Sequence, residues 1–377
     1  MKILYIGHYK EGTGWAHAAI DYILSLDAAG LDVVCRSIDF NHKNITIPKR
    51  ITELENKSSK GCDICIQHVL PHKMDFNGKF KKNIALYATE TDSFIATTWP
   101  DRINLMDEAW VINKQMVDAS IKSGVTVPIK IIPHACDTSK FERNYTRFEI
   151  PQIQDTFVFY FIGELIRRKN LVALLKAFHL EFDSNEPVSL AIKAHKTGMN
   201  EDECFKHITI MCDQVKENLK LYPQMDDYKR EIIITQYLSE IEMCSLHTTC
   251  DCLVAPSFGE AWCIPAFDAM GFGNTPICTN TGGMADFLSG GGGMLVDAHP
   301  EPAFGMTETF SDLYTGRENW DNIDIRELQK RMRNVYELHS SNSPAYLATQ
   351  KLGLENAYRY SYENVGKIMK EALTNAN

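Results

Sequence analysis

Between Pro256 and Gly283 the chain reads PSFGEAWCIPAFDAMGFGNTPICTNTGG, which sets two carboxylates, Glu260 and Asp268, on either side of Pro265 and closes on Gly282 and Gly283. Proline suits the first turn of a helix, where its missing N–H would find no partner anyway, so a helix is expected to open at about Ile264. The free amides and dipole of such an opening favour an anion such as phosphate. Carboxylates accept hydrogen bonds from hydroxyls, so two acids beside a phosphate-binding mouth suit a ribose or sugar joined to a phosphate. Taken alone, the pair is equally explained by Asp268 stabilising the helix start and Glu260 being a solvated loop acid. The strand TPICTN then runs into TGGM, where Gly282 and Gly283 allow close backbone approach to a ligand. Two such turns on consecutive strand–helix units favour the ligand-binding reading.

The elements that must position these residues form two series. The 377 residues exceed one ordinary hydrophobic core, so two domains are expected. The first series is KILYIG, a glycine loop, a helix from Trp15 to Ala29 and LDVVCRSI, followed by DICIQHV, NIALYAT, EAWVIN and IKIIPHA. In the helix, Ala16, Ala19, Ile20, Ile23 and Leu24 follow the i, i+3, i+4, i+7 rule. Phe141 to Asp155 is polar and aperiodic and reads as a linker. A second series runs through TFVFYFIGEL, VSLAIKAH, EIIITQYL, CDCLVAPS, TPICTN and GGMLVD. The expected fold is α/β: two Rossmann-like β/α/β domains, 1–150 and 151–343, facing across a cleft, with 344–377 packing back on the first.

Composition narrows the partners. A formal net charge of −10 creates no long-range attraction for nucleic acid or anionic lipid, so any anionic ligand must be met locally. Most of the eleven cysteines lie in apolar runs, as small buried hydrophobes do, and Cys62/Cys65 and Cys250/Cys252 lack the second ligand cluster of a zinc site. No stretch is long and apolar enough to span a membrane, and the start turns polar after seven residues, so a cytoplasmic location is expected.

The complete pattern resembles the nucleotide-sugar site of the GT-B glycosyltransferases, specifically the retaining family 4 or "group 1" enzymes. Their signature, PS…E…P…EA…G…P…GG with seven residues between the acids, is matched here with Asp268 in place of the usual second Glu. YFIGELIRRKNLVALLKAF resembles the family's first C-domain strand and phosphate loop, IIPHACDTSKF its element before the linker, YATETDSF an N-domain segment, and YRYSYENVGKIMKEAL its terminal helix. The resemblance implies that Glu260 binds donor-sugar hydroxyls and Asp268 the ribose. Phe258, Gly259, Ala261, Trp262, Cys263, Ile264, Gly282 and Gly283 would then form the backbone cradle. Lys169 matches the diphosphate lysine, needed because the leaving nucleoside diphosphate gains negative charge. Gly163 is followed by Glu164 where the family often has Arg, so the second cation falls to Arg168, with Arg167 the other candidate.

On the N-terminal side, Gly12 and Gly14 lack the third glycine of a dinucleotide fingerprint and are candidates to touch phosphate or acceptor. Glu90 and Asp92 follow a buried strand, where an acceptor hydroxyl would approach; general-base help and helix capping by Asp92 are both open. His134 stands where the family commonly has Asn, a turn role outweighing a catalytic one. The function implied is transfer of a sugar from a UDP- or GDP-sugar to a glycan or other hydroxyl acceptor, with no cofactor and no metal. The alternatives are a nucleotide-sugar 2-epimerase of the same fold and a non-catalytic nucleotide-sugar-binding protein. The acidic balance argues for at most weak membrane association and against a nucleic-acid acceptor.

Overall fold

The two runs of short apolar strands become two separate six-stranded parallel sheets in the computed structural model, which describes residues 1–38, 45–150, 153, 155–307 and 309–374. The first sheet takes β1 (Lys2–Gly7), β2 (Asp32–Ser37), β3 (Ile64–His68), β4 (Lys82–Leu86), β5 (Glu108–Val111) and β6 (Ile129–Ile131) in the order β2-β1-β3-β4-β5-β6. Its helices are α1 (Gly14–Ala28), α2 (Lys49–Glu55), α3 (Trp99–Ile103) and α4 (Lys114–Lys122). The second sheet takes β7 (Phe157–Glu164), β8 (Val188–His195), β9 (Ile232–Ile234), β10 (Cys252–Ala255), β11 (Ile277–Thr279) and β12 (Met294–Val296) in the order β12-β11-β10-β7-β8-β9. Its helices are α5 (Leu171–Glu181), α6 (Glu201–Leu219), α7 (Glu240–Thr249), α8 (Ile264–Gly271), α9 (Gly282–Leu288) and α10 (Ile325–Ser340). The order reverses between β7 and β10, the place where open α/β sheets bind ligands at the carboxyl ends of their strands.

The chain divides into one unit of 1–138, 309–319 and 358–377 and a second of 139–308 and 320–357. Part of the stretch read as a linker therefore packs within the second unit. There the Phe141 ring meets Phe272 edge-on at 5.1 Å, and a Cβ on Gly271 would fall 2.2 Å from that ring. The C-terminal residues also divide: α11 (Pro344–Tyr358) lies almost wholly in the second unit and α12 (Tyr362–Thr374) in the first. A Cβ on Gly366 would lie 2.2 Å from Ser25 O, so α12 meets α1 at backbone distance, while Val365 and Met369 join the buried core beneath.

Parallel strands covered on both faces need near-continuous apolar runs, and β7 shows why. Phe157, Phe159 and Phe161 point into a core with Leu174 and Phe178 of α5 and Leu328 and Met332 of α10, while Tyr160 points to the other face toward His247 of α7. One element has no counterpart in the sequence reading. β13 (Ala298–Pro302) and β14 (Asn319–Ile323) pair as a two-stranded arm. Among the described residues no helix is long and apolar enough to cross a membrane.

Candidate active site

Two loops at the carboxyl ends of the adjacent strands β7 and β10 are bonded to each other. Phe258 N donates to Arg168 O at 2.8 Å, and Arg168 Nη1 returns to Gly259 O at 2.7 Å. These bonds bring Glu260, which is 6% exposed, against both cations: Lys169 Nζ donates to Oε1 at 2.6 Å and Arg168 Nη1 lies 3.2 Å from Oε2. Burial alone would raise the Glu260 pKa; Lys169, then Arg168, and a hydrogen bond from Ser257 hold it down at about 2. A carboxylate, an ammonium and a guanidinium group thus stand together at the carboxyl ends of two central strands, largely out of water.

The geometry separates the two candidate arginines. Arg167 turns to the arm, with its guanidinium 4.1 Å from the Phe304 ring centroid and 3.8 Å from Glu301. A Cβ on Gly305 would come within 2.7 Å of it. Arg168 is the one gathered with Glu260 and Lys169. Glu164, in the place of the family's frequent arginine, accepts from Thr197 Oγ1 at 2.6 Å. Gly163 is a close approach: a Cβ there would lie 2.9 Å from the Phe161 ring and 3.6 Å from Lys169 Cγ, so the bare backbone leaves the lysine stem its path. Just beyond, Asn170 takes a left-handed conformation at φ 53° ahead of α5, and its buried Nδ2 has no partner among the described residues.

α8 begins at Ile264 with Pro265 in its first turn, as the sequence implied. Its N-cap is Cys263 at φ 71° and ψ 69°, a conformation that costs a side-chain-bearing residue roughly 1–2 kcal/mol. Burial pushes the Cys263 thiol up to about 12, so it is a packed neutral group and no nucleophile. Trp262 is buried against Phe267 and Phe287, with ring centroids 5.5 and 5.2 Å away. Asp268 forms an ion pair at 2.7 Å with Lys140, which sequence reading had not singled out; the two side chains are 16% and 13% exposed. Glu260 and Asp268 are therefore held by different cations.

The second glycine turn closes on the first. Gly283 N donates to Glu260 O at 3.1 Å, and a Cβ on Gly283 would stand 2.5 Å from both Ala261 O and Trp262 Cα. Only glycine permits this approach, because the obstacles are backbone. Gly282 opens α9 at φ 53°.

The remaining candidates lie in the first unit. Asp92 accepts from Asn319 N at 2.6 Å and from Asn319 Nδ2 at 3.1 Å, returns its own N–H to Asn319 O, and pairs with Lys122. Burial would raise its carboxyl, but the Asn319 amide and Lys122 hold it below the ordinary value. Glu90 accepts from Tyr314 OH at 2.8 Å. Both acids thus anchor the 309–319 segment of their unit. Gly12 lies 3.3 Å, by its would-be Cβ, from Ile45, whereas Gly14 opens α1 in free space behind the N-cap Thr13. His134 is buried, with Nε2 3.3 Å from Asp21 Oδ2 and Tyr22 edge-on to its ring.

Residues 142–304 match the family described as "Glycosyl transferases group 1". A stretch of 185 residues is 25% identical to D-inositol 3-phosphate glycosyltransferase of Corynebacterium jeikeium, covering 46% of this chain and 41% of the relative, so the chain spans about two fifths of that relative's length. HepE of Anabaena solved with UDP-glucose superposes at a TM-score of 0.66 with 13% identity, over 99% of both chains. Sucrose-phosphate synthase of Thermosynechococcus elongatus follows at 0.64 with 14% identity, over 99% of this chain and 98% of that one. The E. coli trehalose-6-phosphate structure bound with UDP-2-fluoro glucose gives 0.68 with 9% identity over the whole of both chains. These likenesses establish the two-domain GT-B fold. The matched segment, 142–304, carries Glu260, Lys169 and the Gly282–Gly283 turn.

Proposed function

We propose that this protein transfers a sugar from a nucleoside diphosphate sugar, a UDP- or GDP-sugar, to an acceptor hydroxyl, with retention of anomeric configuration and without a bridging metal. The observation that carries the proposal is the buried cluster in which Lys169 and Arg168 hold Glu260 between the β7 and β10 loops, beside the opening of α8. Two cations and a helix opening suit a diphosphate, whose negative charge grows as the sugar departs. Glu260 then accepts hydrogen bonds from sugar hydroxyls, and Asp268 from the ribose. On this reading the incoming phosphates compete with Glu260 for Lys169 and Arg168, freeing the carboxylate for the sugar. The leaving phosphate assists the acceptor hydroxyl on the same face of the sugar.

The Anabaena and E. coli structures, solved with UDP-glucose and UDP-2-fluoro glucose, support a nucleotide-sugar donor. The acceptor is a glycan or another hydroxyl compound met in the first unit near Glu90 and Asp92, and the enzyme works in the cytoplasm. Thermal-shift titration with UDP, GDP, ADP and CDP tests the donor. One of UDP or GDP is expected to raise the melting temperature with saturation; no response to any nucleoside diphosphate would overturn the proposal.

A further inference from the structure

The two lips of the proposed donor site are bridged by a residue of the arm. Asp321 of β14 donates its N–H to Phe258 O at 2.8 Å, two residues before Glu260. Its carboxylate Oδ2 accepts from Thr281 Oγ1 at 2.6 Å, immediately before Gly282 and Gly283. Thr281 is the N-cap residue of α9 and 3% exposed, so the bond fixes the start of that helix. The neighbouring Trp320, 1% exposed, stacks on Phe258 at 4.6 Å and 16° and donates Nε1 to Glu301 on β13. Arg167 lies over the Phe304 and Trp320 rings, 4.1 and 5.8 Å from their centroids, which ties the arm to the β7 loop as well.

From this geometry we infer that Asp321 is a positioning residue for the donor site, holding the Glu260 loop and the Gly282–Gly283 turn at one fixed separation. A ligand lying on both lips needs them set in advance, because an ångström of slack spends binding free energy on ordering the loops. The Gly283 N to Glu260 O bond and the close approach of Gly283 to Ala261 and Trp262 link the two turns directly. Asp321 adds a separate tie, one residue binding each lip by a different group. Its role rests on the glycosyltransferase reading for the identity of the ligand but not for the bracing itself.

The test uses the full chain with Asp321→Ala, Asp321→Asn and Thr281→Val. Amide hydrogen exchange of the ligand-free protein is expected to quicken about tenfold at 258–264 and 282–284 in the Ala and Val variants, with the rest of the protein unchanged. Asp321→Asn, whose carbonyl still accepts from Thr281, is expected to restore slow exchange. With UDP-glucose or GDP-mannose as donor, the donor KM rises roughly tenfold in Asp321→Ala while the acceptor KM holds. The Thr281→Val, Asp321→Ala double variant is no worse than either alone, because both remove the same bond. Unchanged exchange in the two loops, or an effect spread evenly over the protein, would overturn the brace. If exchange responds as expected and the wild type binds no nucleoside diphosphate, the glycosyltransferase reading fails while the brace stands.

Discussion

Replacing Glu260 with Gln keeps the shape of the side chain and removes the charge that Lys169 and Arg168 share. In the folded protein that carboxyl is held at about 2 against an ordinary value of 4.5, which corresponds to about 3 kcal/mol of stability. Removing one member of a buried ion cluster falls in the same range, because the partners remain buried without their counter-charge. For a folded unit of this size the loss is about 6–12 °C in melting temperature at pH 7. The pH dependence follows from the sign of the shift. A carboxyl depressed on folding contributes fully above its unfolded pKa, and that contribution is lost as pH falls from about 4.5 toward 2. The gap between wild type and Glu260→Gln, read by denaturant unfolding at pH 7, 5 and 3, should be widest at pH 7 and 5 and shrink at pH 3. A variant that melts within about 2 °C of wild type at pH 7, or a gap that stays constant down to pH 3, would show that the charge of Glu260 does not carry this stability. Nucleoside diphosphate should also stabilise the variant more than the wild type, because its phosphates supply the missing counter-charge.

Three further outcomes follow. Gly283→Ala places a methyl against the backbone of Ala261 and Trp262 and should cost roughly 2 kcal/mol or more by calorimetry and abolish nucleotide-induced stabilisation, whereas Gly14→Ala, in open space, should leave the melt unchanged. Cys263→Gly removes the left-handed strain at the α8 cap and should be tolerated within about 1 kcal/mol, while Cys263→Val, β-branched at φ 71°, should lower the melting temperature by several degrees. Burial drives His68 to about 3 and His247 to about 4, so both stay neutral when folded while the unfolded chain takes up protons below pH 6.5. Urea unfolding should therefore show stability falling by about 1.4 kcal/mol per pH unit for each histidine as pH drops from about 6 to 4.5, and a His247→Phe variant, able to stack on Phe272, should fall less steeply.

Much of this could be read from the chain because parallel strands and the helices between them leave strong local marks. FVFYFIGE and CLVA are apolar on both faces, and Pro265 and the glycine pair announce helix starts wherever they stand. Glu260 and the Gly282–Gly283 turn stand out for the same reason, because their types and spacing are local, whereas Lys169 is singled out only by the family resemblance. What was not legible depends on contacts between distant residues. Lys140 gives no sign in the sequence that it will pair with Asp268, and Arg167 and Arg168 are chemically identical neighbours that only the arm tells apart. The arm itself was missed because AHPEP and NWDNI lack apolar alternation and are rich in proline or polar residues. Asp92, read as a helix cap or general base, takes its main partner from Asn319, which no local pattern could supply.

On the proposed function, Lys169 and Arg168 meet a nucleoside diphosphate beside the opening of α8. Calorimetric titration of UDP and GDP into the wild type and into Lys169→Met measures this directly. The wild type should bind one of them at a single site, and Lys169→Met should weaken that binding between roughly tenfold and a hundredfold, the value of one charge-assisted hydrogen bond. Equal affinity in the two proteins, or no binding by the wild type, would rule out that contact.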